Sequence, residues 1–359
     1  MGRIFNFSAG PAILPEPVLA QASDAVREFA GSGMSLLEMS HRDKRYDAIH
    51  EQVRAGVVET LGLSTSEYDC LFMGGGASTQ FSLVPMNILT PGHSGAYVDG
   101  GEWGAKAIET GRFHGDVDVI GSSKADNHSR LPVIGDVPSR AAYVHLTTNN
   151  TIEGTQMSNV PSMSVPFVGD LSSDIFGRVR EHTNFDLMYA GAQKNAGPAG
   201  VTLVVIRKSL LAQCNTLAPM FSYKVQADKH SVYNTPPVFP IYVVGLVLEW
   251  IAAEGGMAAV AARNERKAAL IYNAIDNAGP IFSAAVPETA DRSWMNITFR
   301  LASKELETEF LAEAKANGMD GLPGHRNVGG CRASIYNAFP EAGCKALADL
   351  ISDFAVRKG

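Results

Sequence analysis

Lys194 lies in the run YAGAQKNAGPAG, residues 189 to 200, with small residues on both sides and an apolar, strand-like stretch directly before it. A lysine amine is costly to desolvate unless it is paired, neutralised or put to chemical use, and a Schiff base with an aldehyde is one such use. An ordinary surface turn can also carry a lysine among glycines, so the assignment rests on its company. Asp170 stands 24 positions earlier, after the apolar run SVPFV and before LSSD. A carboxylate at such a strand tip could hold a pyridine nitrogen protonated and make the ring an electron sink. The plainer readings of Asp170 are an Asx turn or a helix cap. GGGAST, residues 74 to 79, falls between a strand-like run and an apolar-periodic segment. Glycines there let backbone N–H groups approach an anion at a helix N-terminus. The loop is not the GxGxxG dinucleotide fingerprint, and the lysine loop is not a GxxxxGK[ST] phosphate loop, because Asn195 follows Lys194. Trp103, in DGGEWGAKA, could stack on a flat ring or fill a core. Cationic residues recur in His41 and Arg42 of EMSHRDKRYD, His325 and Arg326 of LPGHRNVGG, and Arg332 of GGCRASIYN. They suit carboxylate or phosphate recognition, or are simply solvated charges.

These residues need elements to hold them. YDCLFM, SGAYVDG, DVDVIG, AAYVHLT, SVPFVGD, FDLMYAG and VTLVVIRKS read as strands alternating with helix-like stretches, which predicts an α/β fold on a mainly parallel sheet. In open sheets of this kind, ligand groups gather at the carboxyl ends of the strands, where Asp170 and Lys194 fall. Beyond Pro240 two helical runs follow, separated by Gly255-Gly256, and then an alternation of WMNITFRL, KELETEFLAEAKANG, CRASIYNA and GCKALADLISDFAVR. The pattern places a large domain over residues 16–255 and a smaller α+β domain over 256–359, with the segment 1–15 packing near the latter.

The 359 residues, 45% apolar, support a substantial core and two domains. A net charge of -7 without a cationic run argues against nucleic acid as a partner. Four cysteines without CxxC or His-rich spacing predict reduced thiols, no metal and a cytoplasmic protein. The N-terminal residues contain no apolar signal core, and the stretch 239–251 is too short to span a bilayer, so no membrane association is expected.

Taken together and in order, FNFSAGPA, SHR, GGGAST, GEW, DLSSD, YAGAQKNAGPAG, YNTPP, GHR and RASIYNA resemble the phosphoserine aminotransferase family of class V, over residues 5 to 338. The resemblance implies fold type I of the pyridoxal 5'-phosphate (PLP) dependent transferases, the aspartate-aminotransferase-like fold, as a homodimer with active sites at the subunit interface. It implies that Lys194 is the Schiff-base lysine, Asp170 the partner of the pyridine nitrogen and Trp103 the ring-stacking residue. Thr151 would lie near the ring hydroxyl, and Ala77, Ser78 and Gln193 around the phosphate. Asn234 and Thr235 would reach the neighbouring subunit's cofactor. Arg332 would bind the substrate α-carboxylate, and His41, Arg42, His325 and Arg326 the side-chain phosphate or the glutamate γ-carboxylate. The chain has Ala77, Ser78 and Thr79 where some members carry arginine, and Ala9 where some carry a second serine. The implied reaction moves the amino group of glutamate to 3-phosphohydroxypyruvate, giving phosphoserine and 2-oxoglutarate in serine biosynthesis. Some members also act on 4-phosphohydroxy-L-threonine in vitamin B6 synthesis. The alternatives are a related aminotransferase for alanine, serine or glyoxylate, against which the two HR pairs count, and a silent scaffold, against which Lys194 and Asp170 count.

Overall fold

The computed structural model describes residues 3–326 and 328–359; residues 1 and 2 of the N-terminal segment lie outside the described residues. Strands run in chain order as β1 (Phe5–Asn6), β2 (Tyr68–Met73), β3 (Ser94–Asp99), β4 (Asp116–Ser122), β5 (Ala141–Thr147), β6 (Phe167–Asp170), β7 (Leu187–Gly191), β8 (Thr202–Arg207), β9 (Phe282–Ala284), β10 (Asn296–Leu301), β11 (Met319–Asp320) and β12 (Cys331–Ser334). Seven of them form one sheet in the order β2-β8-β7-β6-β5-β3-β4. β8 alone in this sheet runs against its neighbours. The reason is chain length: only residues 192–201 join β7 to β8, and a parallel return needs a crossover of about a dozen residues or more.

Alternate side chains of each strand feed opposite faces. Tyr68, Cys70 and Phe72 of β2, with Leu203 and Val205 of β8, join a core that includes Val53, Val57, Ile241, Val244 and Val247. Leu71 and Met73, with Val204 and Ile206, join a second core with Phe81, Val84, Ile88 and Ile108. Burial on both faces explains why these strands read as continuous apolar runs. The helix Val238–Ala253 buries a broad arc of Ile241, Val243, Val244, Leu246, Val247, Leu248 and Ile251, while Glu249, Ala252 and Ala253 on its other side are exposed. Among the described residues no single helix is long and apolar enough to cross a membrane.

A smaller antiparallel sheet, β12-β10-β9, packs with the helices Gly256–Asp276, Lys304–Ala316 and Glu341–Lys358 around Phe282, Phe299, Phe310 and Phe354. Phe7 belongs to this core, and β1 pairs in parallel with β11. The helix Gly256–Asp276 serves both bodies: Val260 packs in the large core, Ala268, Ile271 and Ile275 in the small one.

Candidate active site

The parallel strands deliver their loops to one edge of the sheet. β6 ends on Asp170, β7 is followed by Gln193 and Lys194, and β2 by the glycines that open the helix Gly76–Ile88. β3 leads into the helix Glu102–Gly111, which carries Trp103, and β5 into the turn with Thr151. Because β8 is antiparallel, it contributes its first residue, Thr202, to the same edge. There a cleft of about 640 Å³ opens, lined by Trp103, Thr151, Lys194, His325 and Arg332 among others. It shares Gly75, Gly76, Trp103, Thr151, Gln193 and Lys194 with a deeper recess of about 190 Å³, walled also by Ala77, Ser78 and Asp170.

Lys194 is the floor of this space. Its Nζ donates to Thr151 Oγ1 at 2.8 Å. Burial pulls its pKa down to about 8, with the Asp170 carboxylate opposing and Arg332 adding to the fall. Asp170 is pushed up by burial; hydrogen bonds from Ser172 and the charge of Lys194 hold it back. The Ser172 N–H reaches Asp170 Oδ1 at 2.9 Å. Nearby Asp174 is already engaged, accepting from Thr148 Oγ1 at 2.6 Å, from Gln156 Nε2 at 3.1 Å and from Arg180 Nη2 at 2.7 Å. Asp170 is therefore the carboxylate left for the recess.

The glycine loop sets up the opposite end. Gly75 and Gly76 have φ of 83° and 65°, and a Cβ on Gly75 would lie 1.7 Å from Thr79 Oγ1. No other residue type fits this turn into the helix, whose first N–H groups have no partners within the helix. The Gly76 N–H donates to Thr202 Oγ1 at 2.8 Å. The indole N–H of Trp103 is buried without a hydrogen-bond partner. Arg332 Nη1 donates to the Thr151 carbonyl at 3.4 Å, while its Nε is buried and unpartnered. His325 is held below the usual histidine range by burial first and then by Arg332.

Lys194, Asp170, Trp103, Thr151, Ala77, Ser78, Gln193, His325 and Arg332 thus meet around one space. Arg326, Arg42, Asn234 and Thr235 are exposed, His41 is half-buried, and none of the five is among the described residues lining cleft or recess. Asn234 Nδ2 donates to the Thr235 carbonyl at 3.1 Å. Sequence reasoning missed the N-terminal loop. Ala9, Gly10 and Pro11 line the mouth, the Ala12 N–H donates to the Gln193 carbonyl at 2.9 Å, and Tyr336 Oη donates to the Ala9 carbonyl at 2.8 Å. It also missed Ser172, Ser173 and Asn149 on the recess wall. The signal was present in FNFSAGPA and DLSSD, whose small residues follow strand-like runs.

Fold and site define a PLP-dependent aminotransferase, and residues 4–347 match the family described as aminotransferase class-V, to which the chain belongs. Within that class it groups with phosphoserine aminotransferases. The phosphoserine aminotransferase of Geobacillus kaustophilus is 48% identical over 360 residues, covering 99% of each chain. The structure of the phosphoserine aminotransferase from Bacillus circulans subsp. alkalophilus superposes with a TM-score of 0.96 at 46% identity, over 99% of both chains. A PLP-bound phosphoserine aminotransferase from Trichomonas vaginalis superposes with a TM-score of 0.91 at 32% identity, over 97% of this chain and 99% of that one.

Proposed function

We propose that this chain transfers the amino group of L-glutamate to 3-phosphohydroxypyruvate, reversibly, giving O-phospho-L-serine and 2-oxoglutarate. The observation that carries the reading is one cleft with a desolvated lysine at its floor and a partly unpartnered arginine, Arg332, on its wall. The relatives' names supply the phosphate-bearing substrate.

The described residues fit PLP. Asp170 is buried and pushed up by desolvation, a cost that a protonated pyridine nitrogen would offset. The recess at Gly75, Gly76, Ala77 and Ser78 meets the N-terminus of a 13-residue helix, which suits a phosphate. Trp103 forms a wall shared by cleft and recess, where its ring can cover the pyridine. When bound, the cofactor supplies an electron sink for the substrate α-carbon. Lys194 would anchor it, and the lysine amine would carry the proton to and from that carbon. Gln193 and Thr151 orient the ring substituents. Arg332 takes the α-carboxylate, because its guanidinium fork matches that geometry.

The same reading makes the enzyme a homodimer. Met39 and Tyr46 share a core cluster against which Val238, Phe239 and Tyr242 pack, so the segments bearing His41-Arg42 and Asn234-Thr235 lie together. Half-buried or exposed on one chain, these residues complete the neighbour's site, with His325 and Arg326 closing around the phosphate from within the chain.

The test is an absorbance spectrum of the purified protein with PLP, before and after phosphoserine and, separately, alanine. Loss of the visible band with phosphoserine and not with alanine is expected. A band that responds only to alanine overturns the substrate, and no band at all overturns the mechanism.

A further inference from the structure

The turn into the helix Gly76–Ile88 needs glycine and therefore lacks a cap of its own. A helix start commonly uses a Ser, Thr, Asp or Asn side chain at the preceding position to take one of its unpartnered N–H groups. Here that position is Gly75, at φ 83°, where a Cβ would lie 1.7 Å from Thr79 Oγ1. No side chain fits there. The acceptor comes instead from a strand 126 positions further on: Thr202 Oγ1 accepts the Gly76 N–H at 2.8 Å.

Thr202 opens β8, where Met73 of β2 and Gly191 of β7 are its register partners. Side chains alternate along a strand, so Thr202 shares a face with Val204 and Ile206, which pack in one core with Phe81 and Val84 of that same helix. Thr202 is 1% exposed and is the polar member of an otherwise apolar row. Valine has the same shape and would fill the position, so packing alone does not call for the hydroxyl.

The bond also decides which donors of the first turn remain free. The Thr79 N–H donates to the Gly75 carbonyl at 3.3 Å, and the Gly76 N–H is held by Thr202. Ala77 and Ser78, between them, have N–H groups with no acceptor among the described residues, and both wall the recess. Two adjacent glycines at positive φ give this turn little stiffness of its own. The bond to Thr202 ties it to β8, which lies between β2 and β7 in the sheet, and so holds it in register with Gln193 and Lys194.

We propose that Thr202 is a positioning residue that sets the affinity for the cofactor's phosphate: by holding the Gly76 N–H it keeps the N–H groups of Ala77 and Ser78 aimed into the recess. The proposal rests on the reading that this turn cradles the phosphate. Donors fixed before binding need no ordering when the anion arrives, so Thr202 acts on affinity through the turn.

Thr202→Val keeps the shape and removes the acceptor, whereas Thr202→Ser keeps the acceptor. The measurement is a titration of the apoenzyme with PLP and, separately, with pyridoxal, which lacks the phosphate, followed by the visible band. Thr202→Val is expected to bind PLP about tenfold more weakly, the scale of one hydrogen bond, and pyridoxal within about twofold of the wild type. Thr202→Ser is expected to stay within about threefold of the wild type for both. An equal loss for PLP and pyridoxal marks a general structural defect and overturns the proposal; so does a serine variant as weak as the valine one. Should Thr202→Val fail to fold, Thr202→Ala, which also lacks the acceptor, takes its place in the comparison. A wild type that binds pyridoxal as tightly as PLP overturns the phosphate cradle itself, and the role of Thr202 with it. A wild type that prefers PLP, with a valine variant that keeps the same preference, overturns the role of Thr202 alone.

Discussion

At Lys194 burial favours the neutral amine, Arg332 works with it, and Asp170 works against it. The balance, near 8, leaves a substantial neutral fraction at physiological pH, which an ordinary lysine near 10.4 does not have. Only the neutral amine is a nucleophile. Acylation of Lys194 in the apoenzyme, followed by mass spectrometry of its peptide, should therefore rise with pH to a midpoint near 8. Asp170→Asn removes the group that stabilises the ammonium, so it should move the midpoint lower. A midpoint in the range of surface lysines, or a shift upward in Asp170→Asn, would contradict the assignment. Lys194 and Asp170 could be recognised in the sequence because each stands at the end of an apolar strand, and strand ends converge. Thr202 could not, since it reaches the site only because β8 runs antiparallel to its neighbours.

Among the elements, the loop after β12 shows how the smaller sheet and its helices hold the site in register. Lys267, on the helix Gly256–Asp276, is fully buried and donates to the carbonyls of Tyr336 (2.7 Å), Ile335 (3.0 Å) and Phe339 (3.2 Å), with that of Asn337 at 3.5 Å on the edge of the cage. That loop continues the strand carrying Arg332, and its Asn337 N–H donates to the side chain of Asn195, adjacent to Lys194, at 2.9 Å. Lys267 therefore ties both halves of the site to one helix. Lys267→Met should leave several buried carbonyls unsatisfied and cost about 2–4 kcal/mol. The urea unfolding midpoint of the apoenzyme measures this, and an unchanged midpoint would show the cage to be dispensable. The seven strands of the large sheet, with β10 and β12, could be read from apolar runs, whereas the short β1, β9 and β11 and the helices Glu16–Arg27 and Lys44–Thr60 were not singled out. The reversal of β8 was implicit in the ten residues between β7 and β8, but strand composition alone does not give direction. Lys267 reads as one more lysine in RNERKAAL. Its burial follows from a tertiary contact with the loop after β12, which periodicity cannot reveal.

For the whole molecule the question is what the exposed Asn234-Thr235 loop is built to do. Its base is held firmly for a surface loop. His230 and Ser231 have φ of 51° and 62°, left-handed values that cost energy outside glycine and persist only where the surroundings enforce them. The enforcement is visible: Ser231 Oγ accepts the Phe72 N–H at 2.9 Å, His50 Nε2 donates to the His230 carbonyl at 2.6 Å, and the His230 ring meets Glu51 at 2.8 Å. Phe72 lies in β2, the strand that leads into Gly75 and Gly76, so one strand braces both the chain's own glycine cradle and the loop extended outward. If the proposed dimer has a twofold axis and the loop serves the neighbouring recess, both loops do so alike, because an isologous interface makes every contact twice. Mixed dimers test this directly. Lys194→Ala subunits lack the anchoring amine, and Asn234→Ala subunits lack the reaching side chain. If the loop serves the neighbour, a hybrid has one site with both defects and one intact site, the latter pairing a native Lys194 with a native Asn234 from its partner. Mixing the two variants after mild dissociation should then restore tight PLP retention and turnover at one site per hybrid. If Asn234 serves its own chain, the two defects fall on separate sites and mixing restores nothing.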